Sequence, residues 1–226
     1  MRVAIVCAME EEIDKLRAVM EDARDGVRAG VRVTEGRLEG HEVALCLGGI
    51  GKSNAAATVQ YAVCAFQPDL LVNIGLAGNC TDTLPLGGAV VADKLVYHDF
   101  DMAIAAEDPP HKTAFIPTGA LREKALAVCK TLGVQAVSGT VATGDLFVQD
   151  EAVKRDIVAR TGASAVEMEG AAFAHMAEKN GVDYVSVKIM SDNASDGALD
   201  DFHASLPLGT YCELSVSILR GLLKDL

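Results

Sequence analysis

Carboxylates and glycines gather where the strands of this chain should end. Residues 2–8 (RVAIVCA) run into Met9-Glu10-Glu11-Glu12, and a segment at 42–47 runs into Gly48-Gly49-Ile50-Gly51-Lys52. The apolar run at 69–74 is followed by Gly75-Leu76-Ala77-Gly78, and the one at 135–143 by Gly144-Asp145-Leu146-Phe147. Residues 163–166 lead into Glu167-Met168-Glu169, and residues 183–190 into Ser191-Asp192. In open α/β sheets ligands bind beyond the carboxyl ends of the strands, so these segments are expected along one edge. Carboxylates crowded into one cleft repel each other unless some are protonated, paired or hydrogen-bonded, which is how a protein separates a general acid from a general base. Glu12 and Asp192 come from distant strands and can face each other across a ligand. Glu167 and Glu169 share a face if the strand persists and diverge if a helix starts at 168, so one of the two is expected to reach the cleft.

Other chemistries find no support. The turn GGIGKSN lacks the glycine a P-loop needs at 46, where the chain has Cys46. It also lacks the Gly or Ala a dinucleotide fingerprint needs at 54, where it has Asn54, so neither ATP nor NAD is indicated. What remains is a strand-to-helix turn whose free backbone N–H groups can meet an anion or a polar ligand, or which serves close packing. His41, His98, His111, His175 and His203 form no i, i+4 pair and no ligand-like cluster, so no metal site is expected. There is no GxSxG elbow, and no cysteine has a recognisable catalytic context.

The elements that must position these residues alternate. A buried strand at 2–8 precedes an amphipathic helix at 10–20, with Ile13, Leu16 and Met20 at helical spacing. Alternating segments at 31–38 and 42–47 read as a hairpin turning at Glu39-Gly40. An Ala-rich helix follows to about residue 66, then strands at 69–75 and 88–95, a loop-rich stretch at 98–118 and a helix at 119–132. A strand at 135–143, a helix at 150–160, a short strand at 163–167, a helix at 169–180, a strand at 183–190 and a helix at 207–224 complete the chain. This order predicts a three-layer α/β/α domain around a central mixed, largely parallel sheet. The segment 98–118, with Pro109-Pro110 and Pro117, is the longest without periodicity, and loops of that length tend to be functional or interfacial.

Composition narrows the class. Against 20 Lys+Arg stand 32 Asp+Glu, a formal charge of −12, which disfavours nucleic-acid binding because phosphate backbones attract cationic faces. At about 150 residues per domain the chain allows one large domain or two small ones, and a single domain over 1–226 is expected. Hydrophobic residues make up 50% and mean hydropathy is +0.24, as in a well-packed globular protein. With aromatics at only 4% and no Trp, the core must be built from Ala, Val, Leu and Ile. Cys7, Cys46, Cys64, Cys80, Cys129 and Cys212 form no CxxC pair, as expected of free thiols in a reduced cytoplasm. The N-terminus is too short and too acidic for a signal peptide, and no apolar run approaches the roughly 18 residues of a membrane span.

Taken in order, the stretches AIVCAMEEEI, GGIGKSNAA, NIGLAGN, VATGDLFV, AVEMEGAAFAH and VKIMSDNA resemble the 5′-methylthioadenosine/S-adenosylhomocysteine nucleosidases of the purine nucleoside phosphorylase-like superfamily. The resemblance runs from residue 1 to the end. It implies cleavage of the N-glycosidic bond of an adenine thio-nucleoside by water, in nucleoside catabolism and methionine salvage, with no metal or organic cofactor and a homodimer as the assembly. It also implies roles. Glu12 would activate water, and Asp192 would protonate N7 of the leaving adenine and so must hold a proton near neutral pH. Glu169 would bind the ribose hydroxyls, Met168 would pack beneath the sugar, Phe147 would stack on the base and the Val148 backbone would meet the purine edge. Met9, Ile50, Leu76, Ala77, Gly78, Glu167, Lys188 and Ser191 are expected around the same nucleoside.

Three departures stand out. Leu76 occupies a position where such proteins carry a Ser, and Lys188 one where they carry an Arg, which keeps the charge without the fork geometry. After Tyr97-His98-Asp99 the segment FDMAIAAEDPPHK offers Phe100 as its one aromatic before Phe115, from which weaker selection at the 5′ end is expected. The alternatives are a futalosine-type hydrolase, a phosphorylase, or a non-catalytic nucleoside-binding protein. Lys52 and Lys188 are the cations available near the cleft, too few for a phosphate site, which favours hydrolysis.

Overall fold

A computed structural model describes residues 1–200 and 208–226. The chain opens with β1 (Arg2–Cys7), α1 (Glu10–Arg17), β2 (Glu21–Arg28), β3 (Val31–Leu38) and β4 (His41–Leu47). It continues with α2 (Lys52–Phe66), β5 (Leu70–Asn79), β6 (Ala89–Tyr97), α3 (Met102–Ala105) and α4 (Gly119–Thr131). The last elements are β7 (Ala136–Thr143), α5 (Glu151–Thr161), β8 (Ala163–Glu167), α6 (Gly170–Lys179), β9 (Asp183–Asp192) and α7 (Leu208–Lys224). Residue 207, the expected start of the last helix, and His203 lie outside the described residues.

Local chemistry accounts for several boundaries. β1 is a run of apolar residues buried on both faces, as suits a strand with parallel neighbours. The β3–β4 hairpin turns at Glu39 and Gly40, whose φ values of 49° and 82° are the left-handed pair that a tight hairpin turn requires. Asp150 caps α5 by accepting from the N–H groups of Ala152 (2.8 Å) and Val153 (2.9 Å). α1 ends at Arg17 rather than at Met20, and the chain turns directly into β2, a strand the periodicity does not reveal.

The sheet has nine strands in the order β2-β3-β4-β1-β5-β8-β7-β6-β9. It is mixed: β1 lies parallel to β4 and β5, β5 to β9, and β7 to β6 and β8, whereas β2–β3, β3–β4, β5–β8 and β6–β9 are antiparallel. The expected three flat layers need correcting here. β5 pairs with β9 as well as with β8, so β5, β8, β7, β6 and β9 close on themselves as a barrel-like half, and only β1 to β4 extend as an open sheet. Closure requires β5 to change partners along its length. It runs parallel to β9 from Leu70 and meets β8 only at Gly78 and Asn79.

Helices cover both faces of this sheet. α2 and α6 pack together over one buried cluster that includes Val59, Ala62, Ala171 and Phe173. α1, α4 and α7 cover a second, with Ile13, Leu16, Val128 and Leu219. A smaller cluster under α5 joins Val148, Ile157 and Val166. The cysteines are free thiols, and among the described residues no helix is long and apolar enough to cross a membrane.

Candidate active site

A cavity of about 300 Å³ opens at the carboxyl ends of the strands. Ala8, Met9 and Glu12 reach it from the β1–α1 junction, and Ile50 from the Gly-rich turn. Leu76, Ala77 and Gly78 come from β5, and Leu146, Phe147 and Val148 from the loop after β7. Val166, Glu167, Met168 and Glu169 come from the β8–α6 junction, Ser191 and Asp192 from the end of β9, and Leu199 from beyond it. All the residues expected around a nucleoside therefore meet here, with the exception of Lys188. The sequence does not single out Ala8, Val166 or Leu199. Ala8 directly precedes Met9, whereas Leu199 sits in a segment without periodicity. No Lys, Arg or His is among the described residues that line the cavity.

Glu12 is placed by the start of its helix. As the third residue of α1 it reaches back, so that Oε2 accepts from the N–H groups of Ala8 and Met9, both at 3.2 Å, half of a capping box. Its Oε1 accepts from Leu76 N–H at 3.3 Å, tying the carboxylate to β5. Burial raises the Glu12 carboxyl above the ordinary carboxylate range, and the Lys188 charge and these three N–H groups offset only part of that. Glu10 and Glu11, the neighbouring acids, are exposed.

β5 does not turn at Gly75-Leu76-Ala77-Gly78 but runs straight through, and its glycines serve close approach. A Cβ on Gly75 would collide with Glu12 Oε1, and one on Gly78 would lie 3.0 Å from Asp192 Oδ1 and 2.8 Å from the Ala194 Cβ. Both carboxylates therefore lean on the same strand where it has no side chain. The pairing with β9 skips a residue there, from Ala77↔Met190 to Gly78↔Asp192, and such a bulge re-aims the side chain that follows it. Asp192 is 3% exposed. Its Oδ1 accepts from Ala194 N–H at 2.8 Å and its Oδ2 from the Ser191 hydroxyl at 2.9 Å.

The two glutamates of the β8–α6 junction diverge. Glu167 turns inward: it accepts from the Thr143 hydroxyl and from the N–H groups of Glu169 (3.0 Å) and Gly170 (2.7 Å), and pairs with Lys188 Nζ at 2.9 Å. Burial alone would raise its carboxyl, but Lys188 and these donors outweigh burial and hold it below the ordinary range. Lys188, 2% exposed, lies behind the cavity wall and not in it, because its ammonium is spent on Glu167. Glu169 faces the cavity and accepts from Gly51 N–H at 2.7 Å. Burial, then the neighbouring Glu167 charge, pushes its carboxyl up to about 7.

The Gly-rich turn thus spends one free N–H on a carboxylate of the site itself. Its next residue, Lys52, pairs with Asp99 at 2.6 Å and lies 3.7 Å from Asp145. Among the described residues no group of His, Cys, Asp and Glu is arranged to hold a metal ion.

The profile of the Phosphorylase superfamily matches residues 2–210. A 5′-methylthioadenosine/S-adenosylhomocysteine nucleosidase of Shewanella sp. (strain W3-18-1) is 33% identical over 99% of this chain and 100% of its own. The crystal structure of the nucleosidase of the same name from Neisseria meningitidis, in complex with methylthio-immucillin-A, superposes with a TM-score of 0.93 at 30% identity, covering 100% of this chain and 99% of that one. The futalosine hydrolase of Helicobacter pylori superposes with a TM-score of 0.92 at 27% identity, covering 100% and 98%.

Proposed function

The chain belongs to the phosphorylase superfamily, among its 5′-methylthioadenosine/S-adenosylhomocysteine nucleosidases, and from that premise we infer that it hydrolyses the N-glycosidic bond of those two nucleosides, releasing adenine and a thioribose. The observation that carries the reading is the meeting of Glu12 and Asp192 on one nucleoside-sized cavity with Phe147 at its wall.

Breaking this bond develops positive charge on the sugar and negative charge on the purine. Glu12 takes a proton from a water molecule as that water attacks the anomeric carbon. A carboxyl raised by burial is a stronger proton acceptor once ionised, and the three backbone N–H groups fix its direction. Asp192 gives its proton to N7 of the adenine. The carboxylate it leaves behind is received by Ala194 N–H and the Ser191 hydroxyl, so the transfer does not strand a buried charge. Glu169 binds the ribose hydroxyls, Met168 packs beneath the sugar, Phe147 stacks on the base and the Val148 backbone meets its edge. Glu167, at the wall, and Lys188, behind it, act by holding the junction that presents Met168 and Glu169.

Water rather than phosphate is the nucleophile in this reading. The cations that a phosphate could have used, Lys52 and Lys188, are already paired with Asp99 and Glu167. The 5′ end is less closely selected. Phe115 is fully buried against His175, which leaves Phe100, 46% exposed, as the aromatic that the 98–118 segment can offer a substituent. Similarity to a futalosine hydrolase supports a second reading on the same machinery, in which the nucleoside carries another 5′ group. We also propose that residues 1–226 form one nucleosidase domain acting in the cytoplasm as a homodimer. Exposed Phe100, Ile104 and Ile116 would be buried between the subunits.

The test is chromatographic product analysis with methylthioadenosine, S-adenosylhomocysteine, adenosine and inosine, each with and without phosphate. Free adenine and thioribose in phosphate-free buffer are expected. Strict dependence on phosphate, or release from inosine alone, would contradict the reading.

A further inference from the structure

Three segments far apart in the chain meet at Lys52. Its ammonium lies 2.6 Å from Asp99 Oδ1 and 3.7 Å from Asp145 Oδ2, and its own N–H donates to Asp145 Oδ1 at 2.8 Å. Asp99 closes the circuit, since its Oδ2 accepts from Asp145 N–H at 2.8 Å. The Lys52 ammonium is also 5.6 Å from the centre of the Tyr97 ring, within cation–π range. Burial would raise the Asp99 carboxyl, yet Lys52 and the Asp145 N–H together hold it below the ordinary range.

What each member adjoins gives the circuit its meaning. Lys52 follows Gly51, whose N–H holds Glu169, and Ile50, which lines the cavity. Asp145 immediately precedes Leu146, Phe147 and Val148, which line the cavity beside the Gly-rich turn. Among the described residues no strand pairing joins the Gly-rich turn to the loop after β7, whereas this circuit links them directly. We propose that Lys52, Asp99 and Asp145 form a positioning unit that fixes the spacing between the ribose-binding and base-stacking walls, and so sets affinity for the nucleoside without taking part in bond cleavage.

The proposal rests on the nucleosidase reading for its substrate but is tested partly without one. In Lys52→Met the stem stays and the charge goes. KM for methylthioadenosine is expected to rise by about ten-fold with kcat within about three-fold, the pattern of lost uniform binding. Lys52→Arg, which restores the charge, should recover most of the loss. Independently of turnover, amide hydrogen exchange at Lys52 and Asp145 should accelerate by about ten-fold or more in the Met variant and return towards wild type in the Arg variant. If the Met variant does not fold, Asp99→Asn serves the same comparison. Unchanged exchange, unchanged KM, a loss confined to kcat, or no recovery with Arg would each overturn the proposal. Because exchange is read on the free protein, failure of wild type to release adenine would remove the nucleosidase reading and leave the positioning unit separately decided.

Discussion

Gly75 leaves the space that Glu12 occupies: a Cβ at that position would overlap the Oε1 of the carboxylate. The neighbouring atoms are not free to yield, because Glu12 is held by three backbone N–H groups. If Glu12 is the base, as proposed, Gly75→Ala should displace it and lower kcat by about 100-fold or more, since misplacement by about 1 Å costs that much. Its binding of adenine, which in this reading does not use Glu12, should change little. Steady-state kinetics beside adenine calorimetry checks this, and wild-type kcat in the Gly75→Ala variant would show that Glu12 is not the base.

The Lys188–Glu167 pair predicts a stability effect. With both side chains almost wholly buried, removing the ammonium in Lys188→Met leaves Glu167 charged and uncompensated, which should cost about 3–5 kcal/mol in denaturant unfolding. Adding Glu167→Gln should recover part of that. Because the Glu167 carboxyl lies below its ordinary range in the folded protein, its contribution is present above the unfolded value of about 4.3 and is lost as the pH falls through the folded one. A Met variant within about 0.5 kcal/mol of wild type, the scatter of ordinary surface changes, would show that the pair is not needed to hold the junction.

Glu169 runs the other way. Its carboxyl is raised to about 7 in the folded state, against about 4.3 unfolded, so the stability of the neutral form is complete below about 4 and disappears as the pH rises through about 7. Glu169→Gln removes that penalty. Its melting midpoint should match that of wild type at about pH 4 and exceed it at about pH 8.5, by about 2–4 °C for each kcal/mol of the penalty. Equal shifts at both pH values would refute the assignment.

Much of this site was legible because strand ends carry chemistry in α/β sheets. Glu12, Phe147, Glu169 and Asp192 lie where strand-then-polar reasoning puts them, and the hairpin at Glu39-Gly40 follows from its turn residues. What escaped did so for physical reasons. β2 (EDARDGVR) is an almost wholly exposed antiparallel edge strand, so no face imposes an alternating pattern on it. The glycines at 75 and 78 suggest a turn, yet they serve close approach within a strand, which only the positions of Glu12 and Ala194 reveal. Barrel closure through β5–β9 depends on long-range pairing. The family resemblance puts Lys188 in the cleft, but buried inside β9 it turns to Glu167, whose charge neutralises its own.

Phe147 is 36% exposed at the cavity wall, so the stacking on a purine proposed for it would be partly open to solvent. Phe147→Ala should weaken adenine binding by about 1 kcal/mol, about five-fold in Kd, at the low end for a base on an aromatic ring. Calorimetric titration with adenine measures it, and undiminished affinity would place the base elsewhere in the cavity.

Asp192→Asn bears most squarely on the chemistry, because it keeps the shape of the side chain and removes the proton it can give. Its kcat for methylthioadenosine is expected to fall by about 100-fold or more, the scale of general-acid catalysis, while adenine still binds. Turnover near that of wild type would show that adenine departs without a proton from Asp192, and the proposed division of labour with Glu12 would fail.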